Sequence, residues 1–110
     1  MSAANGHPSR ARVAVTGIGV VSPLGIGREE MWRSVSEGRS GAGLITLFDA
    51  SDWPVRMACE AHGFDPSDFM DRRVARRMDR YAQFAVAAAR MAVADAGLPI
   101  DRDGEGIGAI

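Results

Sequence analysis

The sequence predicts an α/β fold in which a parallel sheet is built in the order strand, helix, long helix, strand. Three observations lead to this prediction. The run "RVAVTGIGVV" is β-branched and almost wholly apolar, as in a strand buried on both faces. Residues 72–96 carry a long helical pattern that Gly97 and Pro99 end. A second apolar run, "GIGAI", begins like a central strand, and strands separated by helices favour a parallel sheet.

The turn after the first strand and the helix that follows it have clear local signals. Pro23, in "SPLGIG", lacks a backbone donor, and the glycines beside it allow a sharp turn. "REEMWRSVSEG" predicts a short helix in which Glu29 and Glu30 complement the dipole at the first turn and Gly38 is the C-cap. Trp32 lies on the apolar face of this helix, so we expect it to pack.

The middle of the chain carries weaker patterns. Residues 39–54 are typical of a loop, "VRMACEA" is compatible with a short strand, and "FDPSDFMD" with a turn and a brief helical piece. Two parallel strands alone could neither bury both faces of a sheet nor satisfy its edges. We therefore expect residues 1–11 to be a flexible tail and residues 12–110 to be the truncated N-terminal portion of a larger domain.

Composition narrows the classes of protein to which the chain can belong. The formal net charge is −1, so the chain has no excess of positive charge that would attract it to nucleic acid or to an anionic membrane. All 13 basic residues are arginine. No apolar run approaches the ~20 residues of a membrane span, and "MSAANGHPSRA" lacks the apolar core of a secretory signal. A single cysteine excludes a disulfide framework and fits a reducing compartment. We expect a cytoplasmic protein with neither nucleic acid nor membrane as a partner.

The glycine-rich turn invites comparison with a nucleotide-binding loop. Gly17 and Gly19 match the first two positions of a dinucleotide fingerprint, but Ser22 stands at the third. The chain has no lysine, which the phosphate-binding P-loop requires. We predict that the glycines instead let the strand end tightly against packed neighbours.

Cys59 and His62 are the residues that most resemble a reactive pair. An imidazole can activate a thiol, although this spacing brings two side chains to one face only in a helical turn. A structural metal site needs four ligands, and the only other histidine is His7 in the tail. A lone cysteine in an apolar run is usually a small core residue. We predict that Cys59 is in the core and that these 110 residues hold neither a catalytic residue nor a metal site.

A basic stripe occupies the first half of the long helical pattern. On a continuous helix, about 100° per residue places four arginines within a ~100° arc: Arg73, Arg76, Arg77 and Arg80. The stripe is either a solvated face, partly neutralised by Asp71 and Asp79, or a docking surface for an acidic partner. Nucleic acid fits it less well, because no aromatic residues are interleaved with the arginines.

Several stretches, in order, resemble one enzyme family. "VAVTGIGVVSPLG", "MWRSVSEGRSG", "ITLFDASDWPVRMACE" and "DPSDFMDRRVARRMDRYAQFAVAAARMAVADAGL" are similar to the β-ketoacyl-[acyl carrier protein] synthases of type II fatty acid synthesis. The most specific phrase is "ARRMDRYAQFA". The resemblance covers residues 12–110.

The resemblance implies the front of a thiolase-like fold, in a homodimeric acyltransferase that elongates fatty acyl chains. Such enzymes condense an acyl group, held as a cysteine thioester, with malonyl on acyl carrier protein, and two histidines assist decarboxylation. The resemblance places these three residues beyond Ile110, so we expect the chain alone to be inactive. It implies no cofactor besides the phosphopantetheine arm of the carrier. Arg73, Arg76 and Arg77 match positions at which the family receives the acidic carrier protein.

Two alternatives stay open. A ketosynthase of polyketide synthesis shares the same motifs. A non-catalytic module that binds acyl carrier protein or a synthase subunit would also explain a chain without catalytic residues.

Overall fold

The computed structural model of the chain describes residues 10–100 together with Gly106 and Gly108. Its elements in chain order are β1 (Val21–Ser22), β2 (Gly25–Ile26), α1 (Arg28–Ser36), β3 (Ala42–Leu44), β4 (Met57–Cys59), a 3-10 turn (Pro66–Asp68), α2 (Arg72–Ala75) and α3 (Arg80–Ala96). β1 pairs with β2, and β3 pairs with β4, both in antiparallel register. The predicted parallel sheet is therefore not present among the described residues.

The prediction of a buried first strand is wrong for the chain as it stands. Residues 12–20 are not in a strand, and Val13 and Val15 are 92% and 81% exposed. A strand needs a neighbour to satisfy its backbone groups, and no segment of residues 10–100 forms a strand pair with this one. The predicted last strand, "GIGAI", lies outside the described residues except for Gly106 and Gly108, and the predicted tail does so over residues 1–9.

α1 forms where its local signals predict it. Glu29 and Glu30 occupy the first turn, and the Glu30 carboxylate accepts a hydrogen bond from the backbone N–H of Ile26 at 3.1 Å. The helix ends at Ser36, and Gly38 then adopts a φ of 68°, which a residue with a Cβ rarely adopts. Trp32 does not pack as expected, since it is 70% exposed.

The predicted long helix is two helices separated by a turn. Asp71 caps α2 by accepting a hydrogen bond from the N–H of Arg73 at 2.8 Å, and the extended Asp79 (φ −67°, ψ 158°) is the N-cap of α3. Aspartate prefers caps to helix interiors, because its short carboxylate competes for nearby backbone N–H groups. Asp71 therefore begins α2 through its side chain, whereas Asp79 makes no side-chain capping hydrogen bond and precedes α3 with an extended backbone. At the far end, Gly97 closes α3 in the left-handed conformation, as predicted.

The small core lies between α3 and the elements before it. Ala87 of α3 is fully buried, and Met70 and Ala75 are 5% and 6% exposed. Phe64 stacks on Phe69 and meets the edge of Phe84, with ring centroids 5.8 Å and 4.8 Å apart.

The first segment of the chain packs on α3 through its glycines. A Cβ at Gly19 would overlap the backbone of Ala88 and Ala92, and one at Gly17 would overlap Ala92 and Ala96. The prediction that these glycines allow close packing is confirmed. One side of α3 lines an open apolar groove of about 530 Å³ that includes Val86, Val93 and Leu98.

Candidate functional site

Four arginines lie on α2 and the turn that follows it, and we call residues 72–79 the arginine turn. Its exposed cations are Arg72, Arg73, Arg76 and Arg77. The ion pairs found within residues 10–100 involve none of them. The arginine turn therefore carries positive charge that no ion pair within the described residues neutralises, and this charge is available to a partner.

Arg80, which the sequence pattern groups with this stripe, is also exposed, but its guanidinium is engaged within the chain. Its Nη2 donates a hydrogen bond to the carbonyl of Ala61 at 2.9 Å, and its guanidinium lies over Phe84 and Phe64, 4.9 Å and 5.8 Å from the ring centroids. These contacts tie the start of α3 to the preceding loop. The arc predicted for a continuous helix does not hold across the turn, so the surface consists of arginines that precede Arg80.

A cavity of about 260 Å³ adjoins the arginine turn. It is lined by Asp65, Pro66, Ser67, Arg72, Ala75, Arg76 and Gln83. Asp65 accepts hydrogen bonds from the Ser67 hydroxyl and N–H at 2.7 Å and 2.9 Å, and these, with a smaller effect of Arg72, hold the pKa of Asp65 below its ordinary value. Asp65 is therefore charged at neutral pH and offsets part of the charge of Arg72, which leaves Arg76 as the more available cation of the cavity.

Gln83 also lines this region, and it was not singled out in the sequence analysis. Its Nε2 donates to the carbonyl of Ala75 at 2.9 Å and to that of Met78 at 3.4 Å. The signal was available, because Gln83 is the one amide in an otherwise apolar stretch of α3, "YAQFAVAAA". A half-buried amide in such a place has a specific partner to satisfy.

The Cys59–His62 pair is not assembled as a reactive site. Cys59 is exposed at the end of β4, opposite Ala42, so its assignment to the core is wrong. The imidazole of His62 lies nearest a carboxylate, with Nε2 3.9 Å from Glu60. No group of three metal-ligating side chains occurs within the described residues.

Glu60 instead organises the loop between β3 and β4. Its side chain is only 8% exposed and accepts hydrogen bonds from the Thr46 hydroxyl at 2.7 Å and from the N–H groups of Thr46 and Leu47 at 3.0 Å and 3.2 Å. The Thr46 hydroxyl contributes most to lowering the pKa of Glu60. This cluster has a structural role and was not predicted.

Among the helices that the structure describes, none is long and apolar enough to cross a bilayer.

The fold of the chain is similar to that of a solved structure. The ishigamide ketosynthase/chain length factor superposes on 79% of this chain with a TM-score of 0.72 and 46% sequence identity, and the match covers 22% of that protein. The fold is therefore an incomplete N-terminal part of a ketosynthase fold.

The sequence matches carry the identification further. Residues 10–110 match the family of the beta-ketoacyl synthase N-terminal domain, and the chain belongs to this family. It is 46% identical over 92 residues to 3-oxoacyl-[acyl-carrier-protein] synthase 2 of Synechocystis sp., which is 84% of this chain and 22% of that protein. It is 42% identical over 101 residues to the tetracenomycin polyketide synthase ketoacyl synthase beta subunit of Streptomyces glaucescens, which is 91% of this chain and 25% of that protein. The resemblance drawn from the sequence motifs is confirmed.

Proposed function

We propose that this chain is the N-terminal part of a 3-oxoacyl-[acyl carrier protein] synthase, an acyltransferase that condenses acyl groups with malonyl on acyl carrier protein in fatty acid elongation. The observation that carries the proposal is the 46% identity over 92 residues to a synthase of that name. The catalytic cysteine and histidines of the family are assigned to residues that these 110 do not include. We do not assign Cys59 as their counterpart, because it lies exposed on a strand of a hairpin.

We propose that Arg73, Arg76 and Arg77 receive the acidic carrier protein. Their exposure, and the absence of ion-pair partners for them within the described residues, support this role. Charges at the rim of an interface mainly raise the rate of encounter, and the attraction weakens with salt. The carrier brings its own phosphopantetheine arm, and we assign no other cofactor to the reaction.

The exposed apolar surfaces support a larger, homodimeric synthase as the setting of this chain. Val13 and Val15 are exposed although their sequence is that of a buried strand, and the groove along α3 is open. We infer that residues 12–20, which already pack on α3 through Gly17 and Gly19, are covered further in the complete domain. Solvent-facing apolar area of this kind is typical of a surface that another part of the molecule covers.

Polyketide synthesis is the second candidate pathway. It is favoured by the 42% identity to a polyketide ketoacyl synthase subunit and by the structural likeness to the ishigamide protein. Both candidates place the chain in a ketosynthase.

The first experiment is the intact mass of the native polypeptide that carries this sequence, followed by a condensation assay. We expect a mass several times 11.7 kDa, and release of CO₂ from malonyl-carrier protein in the presence of acyl-carrier protein. Cys59→Ala should leave the rate unchanged. A native mass near 11.7 kDa with specific carrier binding and no condensation would contradict the synthase and favour the interaction module; preference for a polyketide carrier would favour the second pathway.

A further inference from the structure

α2 is too short to hold its own shape. It has four residues, Arg72–Ala75, whereas isolated helices shorter than about 12 residues are marginal in water. Its conformation must therefore depend on contacts outside the helix. At its start, the Asp71 carboxylate accepts a hydrogen bond from the N–H of Arg73, and Ala75 is buried on the inner side.

The end of α2 is held from α3. The i→i−3 bonds from Arg77 N–H to Val74 O and from Met78 N–H to Ala75 O, both 3.1 Å, form the turn that carries Arg76 and Arg77. The Gln83 amide then donates to Ala75 O and Met78 O, one carbonyl on each side of these arginines. A single side chain thus spans the turn that presents half of the exposed cations.

We propose that Gln83 is a positioning residue for the docking surface: it holds Arg76 and Arg77 in order before the partner arrives. This inference rests on the proposed function of the arginine turn. Binding to a disordered turn requires ordering it at that moment, which weakens affinity, whereas a turn already held by α3 avoids most of that cost. Gln83 acts through the backbone and makes no contact with the partner in this role.

The test is Gln83→Met in the native polypeptide, because methionine has a similar size and no amide donor. In the free protein, we expect the hydrogen exchange of the Arg77 and Met78 amides to become about five-fold faster, which corresponds to the loss of one net hydrogen bond. The exchange rates of amides in the middle of α3 should not change. Gln83→Leu, which also lacks the amide donor and adds no charge beside Arg72 and Arg76, should behave alike and serves if the methionine variant folds poorly.

The binding arm distinguishes positioning from contact. The dissociation constant for acyl carrier protein should rise, by at most about five-fold, at every salt concentration, because the turn of the variant is ordered for a smaller fraction of the time. The dependence on salt should be unchanged, because the bound complex keeps the same arginine contacts. Asp95→Asn is the matched control, since it weakens the fold at the opposite end of α3 and should leave binding unchanged.

The outcomes separate the two proposals. Unchanged exchange at Arg77 and Met78 overturns the positioning role, whether or not a partner binds. Accelerated exchange with unchanged affinity, or an equal loss of affinity in Asp95→Asn, also overturns it. If exchange accelerates and the wild-type protein binds no carrier protein at all, the docking function of the turn is what fails, and Gln83 retains only a structural role in the turn.

Discussion

Arg28 and Asp95 join the two ends of the folded unit: Nη1 of Arg28 donates to both carboxylate oxygens of Asp95, at 2.9 Å and 2.7 Å. The pair connects the first turn of α1 to the last turn of α3 across 67 positions of sequence. Asp95 also accepts a hydrogen bond from the N–H of Ile18 at 2.9 Å, so one carboxylate gathers three segments of the chain.

We expect Asp95→Asn to lower the free energy of unfolding by about 1–2 kcal/mol, since it removes a charge-assisted pair that is partly shielded from water. Thermal or urea unfolding of the native polypeptide measures the change. Glu37→Gln is the control, because it removes the more exposed ion pair with Arg39 and should cost about 0.5 kcal/mol or less. Equal effects of the two substitutions would contradict the organising role of Asp95.

Gly19→Ala should destabilise the fold by about 1–3 kcal/mol, because its methyl group would overlap the backbone of Ala88 on α3. Gly43→Ala is the matched control: a Cβ there meets no atom within 4 Å and the backbone is not left-handed. Urea unfolding of both variants measures the change in the free energy of unfolding. A Gly19→Ala protein as stable as the wild type would show that residues 17–19 do not pack closely on α3.

The hydrogen bonds to Glu60 predict a dependence of stability on pH. They exist only in the folded chain and lower the pKa of Glu60 below its ordinary value of 4.5, so the folded state holds this proton less tightly than the unfolded state does. The resulting stabilisation is present above pH 4.5 and is lost as the pH falls through the folded value.

Thr46→Val removes the hydroxyl that contributes most to this shift. The pKa of Glu60 should therefore rise toward its ordinary value, and stability should depend less on pH in the acid range. An NMR titration of the Glu60 side-chain carboxyl measures the shift directly. Thr16→Val, at an exposed threonine of the first segment, should leave the titration unchanged; an unchanged midpoint in Thr46→Val would refute the assigned cause.

Arg77→Glu, which reverses the charge, should weaken the binding of acyl carrier protein on the order of ten-fold at low salt. The dependence of the binding affinity on salt should also become smaller. Arg33→Glu provides the control, since Arg33 is also exposed but lies on α1. Both variants change the net charge equally, so surface plasmon resonance over a range of salt concentrations separates a local contact from a general electrostatic effect. Equal losses in the two variants would argue against a docking surface at the arginine turn.

Arg80→Met should act on stability instead of binding. It removes the hydrogen bond to Ala61 and the contacts with two phenylalanine rings, and we expect a loss of about 1–2 kcal/mol. Arg73→Met, at an exposed position without a described side-chain partner, should change stability by about 0.5 kcal/mol or less. If Arg80→Met reduced carrier binding while the melting temperature stayed constant, the original assignment of Arg80 to the basic stripe would be restored.

Local signals in the sequence predicted α1, the end of α3 at Gly97 and the role of the close-packed glycines, and the ordered motifs identified the family. Apolar and basic residues follow a helical period through residues 72–96, which predicts one helix where the structure has two. Periodicity does not register a break of the backbone inside a long pattern, and the extended conformation of Asp79 is visible only once the backbone is known.

The residue types around each turn and the family of the chain follow from the amino-acid sequence alone, since they depend on neighbouring residues and on the order of motifs. Packing in three dimensions brings the Arg80 guanidinium to Ala61 and two phenylalanines, lets Gln83 span the arginine turn, and leaves Cys59 on an exposed strand. The physical reason is that each of these outcomes depends on which distant segment supplies an acceptor, a ring or a paired strand. Such partners are set by packing in three dimensions, and hydrophobic spacing along the chain carries no record of them.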